Sequence, residues 1–351
     1  MAKILIKGNE AVGAAMISAG CKTFFAYPIT PQSEVPEYLA RELPKVGGTF
    51  VQAESEVAAI NMLYGSSGTG TRVATSSSSP GVALMQEGIS YLAGAELPCM
   101  IVNMMRGGPG LGSIQPSQTD YFQSVKGGGN GDYKTITLAP ASIQEMVNLI
   151  HLGFDLADLY RIPVILCGDG MLGQMMEPVE FTEYKGRELP AKDWAATGTK
   201  KEREPNIINS LFLEPEDLEE HNLHLMKKYA EINEKEVLVE TIDVEDADIV
   251  FTAFGTTSRI CRTAGEILKE KGYKVGYIRP ITLWPFPSKA YDLVGENTKL
   301  ILDVELNQGQ MVEDVRLAVN GRLPVEFYGR TGGMIPTAEE IAEAALKYLE
   351  A

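Results

Sequence analysis

Three short stretches of this 351-residue sequence carry side chains suited to binding a heterocyclic cofactor or an anionic substrate. Glu54 and Glu56 lie in VQAESEVAAINML, where a helix is predicted to begin. Arg106 ends an apolar run and enters the glycine-rich loop RGGPGLG. Thr30 lies between the two prolines of YPITP, which follows the apolar run at residues 23–26. These side chains are the first candidates for catalytic or ligand-binding roles.

Each candidate has a chemical role and an ordinary structural alternative. A carboxyl in apolar, partly desolvated surroundings can share a proton with a ring nitrogen, whereas an acid at a helix start also complements the helix dipole. Spacing alone favours the dipole interpretation for both glutamates. A fixed guanidinium holds a carboxylate with two parallel hydrogen bonds, and glycines let backbone approach a ligand closely. A surface arginine before a flexible loop explains Arg106 equally well.

The elements that would position these residues alternate between strands and helices. Helical periodicity is seen at residues 57–64, 82–92 and 143–159. Apolar, β-branched or aromatic runs predict strands at 23–26, 49–52, 72–75, 99–104, 135–138 and 163–167. Such alternation with mostly short connections predicts an α/β fold with a parallel sheet covered on both faces.

Ligands of open parallel sheets bind beyond the carboxyl ends of the strands. Polar or glycine-rich loops follow the predicted strands at YPITP and at residues 54–56, 76–81, 106–112 and 168–170. Because the strands are predicted to be parallel, we expect all of these loops on one edge of the sheet.

The chain is predicted to contain two domains, since its length exceeds that of one typical core. Residues 1–175 are expected to form the first α/β domain. Residues 176–240 read as a charged connecting segment with a helix near 215–230. Residues 241–351 repeat the strand–helix alternation and predict a second α/β domain, with its last helices at 311–319 and 338–349.

The charge balance argues against two classes of partner. Lys and Arg total 31 and Asp and Glu total 47, so the formal net charge is 31 − 47 = −16. An acidic surface repels phosphate backbones and anionic membranes, so we expect neither nucleic acid nor membrane as a partner. No run approaches the roughly 20 apolar residues of a membrane span, and the first residues do not resemble a signal peptide. A cytoplasmic protein is therefore expected.

Several further motifs are weaker. CGDGM at 167–171 resembles the start of a diphosphate-binding motif, but no asparagine stands at the matching distance, so a strand-end turn is favoured. The serines at 76–79 have no suitably placed His or Asp for a nucleophile. His221 and His224 lack a third ligand, and the four cysteines form no CxxC motif. No metal site and no iron–sulfur cluster is predicted in this chain.

Taken together, YPITPQSE, ESEVAAIN, ATSSSSPGVALMQEG and MRGGPGLGSIQPSQTD closely resemble the 2-oxoacid:ferredoxin oxidoreductases. The resemblance is to the alpha subunit of the multi-subunit type, in particular its branched-chain (2-oxoisovalerate) members, and it covers nearly the whole chain. It implies a pyrimidine-binding domain of thiamine diphosphate enzymes, followed by an α/β domain like the transketolase C-terminal domain.

The resemblance also implies roles for individual residues. Glu56 matches the glutamate that hydrogen-bonds the pyrimidine ring of thiamine diphosphate and favours the imino tautomer that activates the cofactor. Glu54 remains the alternative. Thr30 and Arg106 would contact the 2-oxoacid, and Arg106 could instead help to admit coenzyme A. Further cofactor contacts are expected from Tyr27, Pro28 and Ser79.

Partner subunits follow from the same resemblance. A beta subunit would hold the cofactor's diphosphate through Mg²⁺, since the diphosphate motif is missing here. A gamma subunit and a ferredoxin-like delta subunit, which carries iron–sulfur clusters, would complete the complex. The expected reaction is oxidative decarboxylation of a 2-oxoacid to an acyl-CoA, with electrons passing to ferredoxin.

Three alternatives remain open. The substrate of the same complex could be 2-oxoglutarate or an aryl pyruvate. The chain could be a non-catalytic scaffold subunit, whose important surfaces would be the connecting segment and the second domain. A self-contained transketolase-like enzyme is a third possibility, against which the missing diphosphate motif counts.

Overall fold

The computed structural model describes residues 3–182 and 184–350. Its strands are β1 (Ile4–Lys7), β2 (Thr23–Ala26), β3 (Thr49–Gln52), β4 (Val73–Ser77), β5 (Cys99–Met105), β6 (Ile136–Leu138), β7 (Pro163–Asp169), β8 (Met176–Val179), β9 (Val239–Ile242), β10 (Ile249–Thr252), β11 (Val275–Pro280), β12 (Thr282–Trp284), β13 (Leu300–Glu305) and β14 (Val325–Gly329). Its α-helices are α1 (Gly8–Ser18), α2 (Glu34–Glu42), α3 (Glu56–Ser67), α4 (Ser79–Gly94), α5 (Tyr121–Val125), α6 (Ile143–Tyr160), α7 (Gly170–Gln174), α8 (Pro215–Lys235), α9 (Thr257–Glu270), α10 (Met311–Val319) and α11 (Ala338–Leu349).

The first sheet has seven strands in the order β12-β6-β7-β5-β4-β2-β3. All neighbours are parallel except β12, which runs antiparallel to β6. The predicted parallel sheet is confirmed. Because β2, β3, β4, β5 and β7 run the same way, their carboxyl ends lie on one edge, and the predicted cluster of loops is there.

The central strand β5 shows why this sheet is buried on both faces. Every residue of its sequence CMIVNMM is buried. Side chains alternate across a strand, so Val102 and Met104 pack with α1 and α6, whereas Ile101 and Met105 pack with α3 and α4. A continuous apolar run is the pattern expected of a parallel strand covered by helices on both sides.

The second sheet has five strands in the order β14-β13-β10-β11-β9. Its strands are parallel except for β9 at the edge. The helices predicted at 311–319 and 338–349 are confirmed as α10 and α11. Thr337 precedes α11 and forms a capping box with Glu340, which satisfies two backbone donors at the helix start.

Some elements differ from the sequence-based expectation. The charged helix of the connecting segment is confirmed and extends over Pro215–Lys235. Strands β1, β8, β9 and β12 were not predicted. The strand β12 lies beyond the expected domain boundary, yet it pairs with β6 and completes the edge of the first sheet. Strands β1 and β8 form a separate antiparallel pair.

Buried hydrogen bonds join the second domain to the carboxyl edge of the first sheet. Gln118 is central to this contact. Its side-chain nitrogen donates to the carbonyl of Phe254 at 2.8 Å, and its side-chain oxygen accepts from the Thr257 hydroxyl at 2.9 Å and from the Leu306 N–H at 3.1 Å. The Tyr121 hydroxyl donates to an Asp314 carboxylate oxygen at 2.6 Å. The loops of the first sheet are thereby held against the second domain.

Candidate functional site

The YPITP loop and the glycine-rich loop meet at Arg106, which directly follows β5. Its guanidinium donates to the Thr30 carbonyl at 2.7 Å and to the Leu111 carbonyl at 3.1 Å. The side chain is buried, with 6% of the residue exposed. Its Nε is buried and has no hydrogen-bond partner among the described residues. Arg106 therefore braces two loops, and its buried Nε remains uncommitted.

Three residues of the YPITP loop are exposed, whereas Pro31 is buried. Thr30, Pro28 and Tyr27 are all exposed. The Thr30 hydroxyl has no partner in the described part of the chain. The loop is held through the Thr30 carbonyl, which accepts the hydrogen bond from Arg106. Proline restricts the backbone on both sides of the threonine, which lowers the entropy lost when the loop is ordered. The predicted substrate contact of Thr30 and the cofactor contacts of Tyr27 and Pro28 remain predictions.

Glu56 is the first residue of α3 and is positioned by the helix cap before it. The Ser55 hydroxyl accepts a hydrogen bond from the Ala58 N–H at 3.1 Å and fixes the start of the helix. Only 6% of Glu56 is exposed, and its carboxylate makes no hydrogen bond to any described residue. Glu54 is exposed. Glu56 lies inside the fold whereas Glu54 faces solvent, so Glu56 is the better candidate for a ligand contact.

A glycine at the start of α4 leaves room beside this carboxylate. A Cβ on Gly81 would lie 2.1 Å from the Ser77 hydroxyl oxygen and 2.6 Å from a Glu56 carboxylate oxygen. Both distances are far below van der Waals contact. The absence of a side chain at position 81 therefore lets the carboxylate, a serine hydroxyl and the helix start come together.

Several buried polar groups at the end of β4 also lack partners among the described residues. They are the hydroxyls of Thr75, Ser77 and Ser78 and the side-chain nitrogen of Gln32. The side-chain oxygen of Gln32 is taken up by the Ser76 hydroxyl at 2.5 Å. Unpaired buried donors and acceptors are rare in native proteins, so this concentration indicates a polar ligand. Glu56 and the Ser77 hydroxyl, which come together beside Gly81, suit a nitrogen heterocycle such as the pyrimidine of thiamine diphosphate.

Sequence reasoning did not single out Gln32, although it directly follows YPITP, and it also missed Asp120. Asp120 accepts hydrogen bonds at the same carboxylate oxygen from the Ser79 hydroxyl at 2.5 Å and from the Asn103 side chain at 2.9 Å. Ser79 in turn accepts from the Arg106 N–H at 2.9 Å. Burial raises the pKa of Asp120, against the lowering effect of these hydrogen bonds and of the Arg106 charge.

The position of Ser79 limits how it can meet a cofactor. Its hydroxyl is used inside the protein, between Asp120 and the backbone of Arg106. Its N–H is likewise taken by the Asn103 side chain at 3.1 Å. The predicted cofactor contact of Ser79 stays a prediction, and the structure gives this residue a clear role in holding the glycine-rich loop.

The weaker motifs have structural partners. Asp169 in CGDGM caps α7, accepting from the N–H groups of Met171 and Leu172 at 2.9 Å each, and accepts from the Thr256 hydroxyl of the second domain. Nε2 of His221 lies 2.7 Å from the Gly94 carbonyl oxygen, and His224 lies 3.0 Å from Glu96. Within residues 3–182 and 184–350, no group of three or more His, Cys, Asp or Glu is arranged to hold a metal ion.

The fold and this site define a thiamine-diphosphate-binding α/β protein. Residues 14–243 match the family model of the pyruvate flavodoxin/ferredoxin oxidoreductase thiamine-diphosphate-binding domain, and residues 247–341 match pyruvate:ferredoxin oxidoreductase core domain II. The chain belongs to this family, the thiamine-diphosphate-dependent 2-oxoacid:ferredoxin oxidoreductases. The predicted family and fold class are thereby confirmed.

Relatives and solved structures agree with this assignment. The ketoisovalerate oxidoreductase subunit VorB of Methanothermobacter marburgensis is 49% identical over 97% of this chain and 96% of its own length. The structure of 2-oxoglutarate:ferredoxin oxidoreductase from Magnetococcus marinus, with 2-oxoglutarate, coenzyme A and succinyl-CoA bound, covers 99% of this chain at a TM-score of 0.88 and 30% identity. This chain spans 65% of the length of that one.

A more distant structure shows the fold alone. It is a split-gene transketolase in an inactive beta4 tetramer, which covers 98% of this chain and 98% of its own at a TM-score of 0.63 and 15% identity. The predicted likeness to transketolase in fold is confirmed. Among the described residues, no helix has the length and apolar character needed to cross a bilayer.

Proposed function

We propose that this chain is the alpha-type subunit of a 2-oxoacid:ferredoxin oxidoreductase and supplies the pyrimidine side of a shared thiamine diphosphate site. The complex decarboxylates a 2-oxoacid, transfers the acyl group to coenzyme A and passes the released electrons to ferredoxin. The observation that carries the proposal is the position of Glu56, a buried residue at the start of α3 whose carboxylate lies beside Gly81, in a protein of a thiamine-diphosphate-binding family.

In this proposal, the residues at the sheet edge bind either the cofactor or the substrate. Glu56 holds a hydrogen bond to the pyrimidine ring nitrogen and sets the tautomer of that ring. The Thr30 hydroxyl and the uncommitted Nε of Arg106 contact the carboxylate and keto group of the 2-oxoacid. When bound, thiamine diphosphate supplies the electron sink that decarboxylation of a 2-oxoacid requires.

The proposed substrate is 2-oxoisovalerate or another branched-chain 2-oxoacid. The ketoisovalerate oxidoreductase subunit is 49% identical to this chain, whereas the 2-oxoglutarate:ferredoxin oxidoreductase is 30% identical. Both align over almost the whole of this chain, so the difference in identity favours the branched-chain substrate. Aryl pyruvates and 2-oxoglutarate are the competing substrates in a direct assay.

The partners in this proposal are a beta subunit, which holds the diphosphate through Mg²⁺, a gamma subunit, a ferredoxin-like delta subunit with iron–sulfur clusters, and an external ferredoxin. The cytoplasm is the proposed location. Exposed apolar side chains on α3 and α4, among them Val57, Leu84 and Tyr91, support burial of this face against a partner. These helices carry Glu56 and Gly81, so the same contact would close the site.

The test compares Glu56→Gln with Glu54→Gln in the complex assembled from purified subunits. Two quantities are measured: exchange of the cofactor's C2 proton for deuterium and oxidation of 2-oxoisovalerate. We expect Glu56→Gln to slow both by at least about 100-fold, the usual size of a lost proton-transfer contribution. Glu54→Gln should change them by less than about twofold, because an exposed acid makes no such contact.

The outcome also separates this proposal from a scaffold subunit. A scaffold would leave proton exchange and turnover intact in both variants once the complex has assembled. If Glu54→Gln proves to be the damaging change, the residue assignment is wrong although the chain is still catalytic. Assays with 2-oxoisovalerate, 2-oxoglutarate and an aryl pyruvate, performed without oxygen, determine the substrate.

A further inference from the structure

The connection between β8 and α8 contains an extended stretch whose side chains alternate between the protein body and solvent. Residues 180–214 form this connection, and no helix or strand is found among those that the structure describes. In compact domains, connections longer than about 15 residues without secondary structure are uncommon and are usually functional or disordered. Ile207, Leu211 and Leu213 are exposed, whereas residues 208, 210 and 212 are half-buried. We call residues 207–220, which include the first turns of α8, the strap.

The inward side chains of the strap hold it against the end of α4. The ring of Phe212 stacks on that of His221, with 4.7 Å between their centroids, and Nε2 of His221 lies 2.7 Å from the Gly94 carbonyl oxygen. The Asn209 side chain accepts from the Leu211 N–H at 2.8 Å and donates to the Leu211 carbonyl at 2.5 Å. Gly94 ends the helix that begins at the candidate site, so the strap lies at the opposite edge of the first sheet. Its outward side chains are therefore presented on a backbone that is held in place.

Exposed apolar side chains are concentrated on the strap. Four of the twelve residues from 207 to 218 are large, apolar and exposed: Ile207 at 87%, Leu211 at 65%, Leu213 at 83% and Leu218 at 40%. A single exposed leucine is normal on a folded protein, so one such residue would need no explanation. A concentration of exposed apolar side chains instead marks a surface that binds another molecule.

The same stretch carries a block of negative charge. Residues 204–226 include no Lys or Arg, and the block comprises Glu214, Glu216, Asp217, Glu219 and Glu220. All of these acids are exposed, and none has an ion-pair partner among the described residues. The basic residues that form ion pairs on α8 lie farther along the helix, at His224, Lys228 and Lys235. Acids in the first turn stabilise a helix, but this effect falls off beyond that turn and does not account for Glu219 or Glu220.

The combination of apolar and acidic side chains restricts what can cover the strap. A symmetric contact between two copies would bring the two acidic blocks together, in chains that each carry a net charge of −16. Nucleic acid and anionic lipid would be repelled for the same reason. A neutral apolar segment would bury the leucines but would remove water from carboxylates that have no counter-charge. A polypeptide segment with both aliphatic and basic side chains matches both parts of the strap.

We propose that the strap is a docking surface for a segment of a partner subunit in which aliphatic side chains lie beside Lys or Arg. The inference rests on the proposed function, which supplies the partner subunits. The aliphatic side chains of that segment cover Ile207, Leu211 and Leu213, and its cations meet the acids at the start of α8. Because the strap and Glu56 lie at opposite edges of the first sheet, this contact holds the complex together without touching the cofactor.

Photocrosslinking in the assembled complex identifies what covers the strap. Leu211 is replaced with p-benzoylphenylalanine, the complex is irradiated, and cross-linked peptides are identified by mass spectrometry. We expect a peptide of another subunit that is rich in Lys or Arg next to aliphatic residues. Leu317, which is 76% exposed on α10, is replaced in the same way as the control and should not cross-link to that peptide. A cross-link from Leu211 to a second copy of this chain, to an acidic peptide or to nothing would overturn the proposal, as would the same cross-link from both positions.

Charge reversal tests the electrostatic part of the contact. Glu216→Lys combined with Glu220→Lys should weaken binding of this chain to the remaining subunits at least about tenfold at low salt, measured by sedimentation of the mixed subunits. Binding by the wild-type chain should weaken as salt is added, because salt screens exposed charges. The control combines Glu343→Lys and Glu350→Lys, at exposed positions on and just after α11 that also have no ion pair in the described chain. It should leave binding within about twofold of the wild type.

A compensating change distinguishes a lost contact from misfolding. Replacing the basic residues of the cross-linked peptide with Glu should restore the affinity of the chain with Glu216→Lys and Glu220→Lys, which a misfolded chain could not regain. Failure of this rescue would overturn the proposal. Oxidation of 2-oxoisovalerate by the wild-type complex is assayed in parallel. A cross-linked but inactive complex refutes the proposed function alone, whereas an active complex without the cross-link refutes the docking surface alone.

Discussion

The guanidinium of Arg106 donates a 2.7 Å hydrogen bond to the carbonyl of Thr30, joining two loops that lie 76 residues apart in the sequence. The main chain of Arg106 is tied in turn to Ser79, and Ser79 to Asp120. The carboxyl ends of β2, β4 and β5 are thus connected by hydrogen bonds that contain the candidate substrate contacts. The position of the Thr30 hydroxyl depends on this connection.

Replacing Arg106 with lysine should damage catalysis more than folding. A lysine has one ammonium group and cannot reach both carbonyls while leaving a donor for substrate, because it lacks the planar fork of arginine. We expect kcat/KM for the 2-oxoacid to fall by about 10- to 100-fold, mostly through KM. Arg316→Lys, on the exposed side of α10, is the control and should have no effect. An unchanged KM in Arg106→Lys would contradict the role.

Gly81→Ala should block the candidate cofactor site with a single methyl group. The added Cβ would lie 2.6 Å from Glu56 and 2.1 Å from Ser77, so the carboxylate must move. We expect thiamine diphosphate affinity, measured by titration of the assembled complex, to fall at least about tenfold. The control is Gly65→Ala in α3, where a Cβ meets nothing within 4 Å. That change should stabilise its helix by about 0.5–1 kcal/mol and leave cofactor affinity unaltered.

The sequence predicted those parts of the fold that local pattern determines. The apolar run at 99–104 indicated a strand buried on both faces, and β5 is such a strand. The position of the loops on one edge of the sheet could be predicted because the strands were expected to be parallel. Glu56 could be preferred over Glu54 only through family resemblance, because the two acids have the same local spacing. The structure separates them by burial and by the close approach of Gly81.

Other features depend on contacts between distant residues and left no local signal. The strand β12 has three residues, and its pairing with β6 is determined by where the second domain docks. Asp120 is an ordinary polar residue in the sequence, and its importance comes from Ser79 and Asn103, which reach it from other elements. Gln32 likewise becomes notable only when its side-chain nitrogen is seen to be buried without a partner in the described chain.

A buried ion pair should dominate the stability of the contact between α6 and the start of β4. Arg72 donates to Asp155 at 2.6 Å and to Asp158 at 2.7 Å, and both carboxylates are almost fully buried. Arg72→Met would leave the buried Asp155 without its ion-pair partner, whereas Asp158 would keep its ion pair with Lys192, so the free energy of unfolding should fall by about 3–5 kcal/mol. In Lys269→Met, loss of the exposed pair with Glu266 should cost less than about 1 kcal/mol. Urea denaturation of the purified chain measures both.

Asp303 should make stability depend on pH in the direction opposite to that of a salt-bridged acid. It lies on β13, and neither of its carboxyl oxygens has a hydrogen-bond partner in the described residues. Burial, and then the neighbouring Glu305 charge, raise the pKa of Asp303 well above its ordinary value of 3.8. Glu305 itself accepts N–H groups at the start of α10 and is held in place.

The folded chain therefore keeps a proton on Asp303 at pH values where the unfolded chain has lost it. Stability falls as the pH rises from 3.8 toward the raised pKa, because the unfolded state binds fewer protons over that interval. The Asp303→Asn side chain cannot titrate. The melting temperature of this variant minus that of the wild type should therefore increase as the pH rises from mildly acidic to mildly alkaline. Asp292→Asn, at an exposed position, should show no such gain. A difference between Asp303→Asn and wild type that stays constant across this range would show that the pKa of Asp303 is not raised in the folded chain.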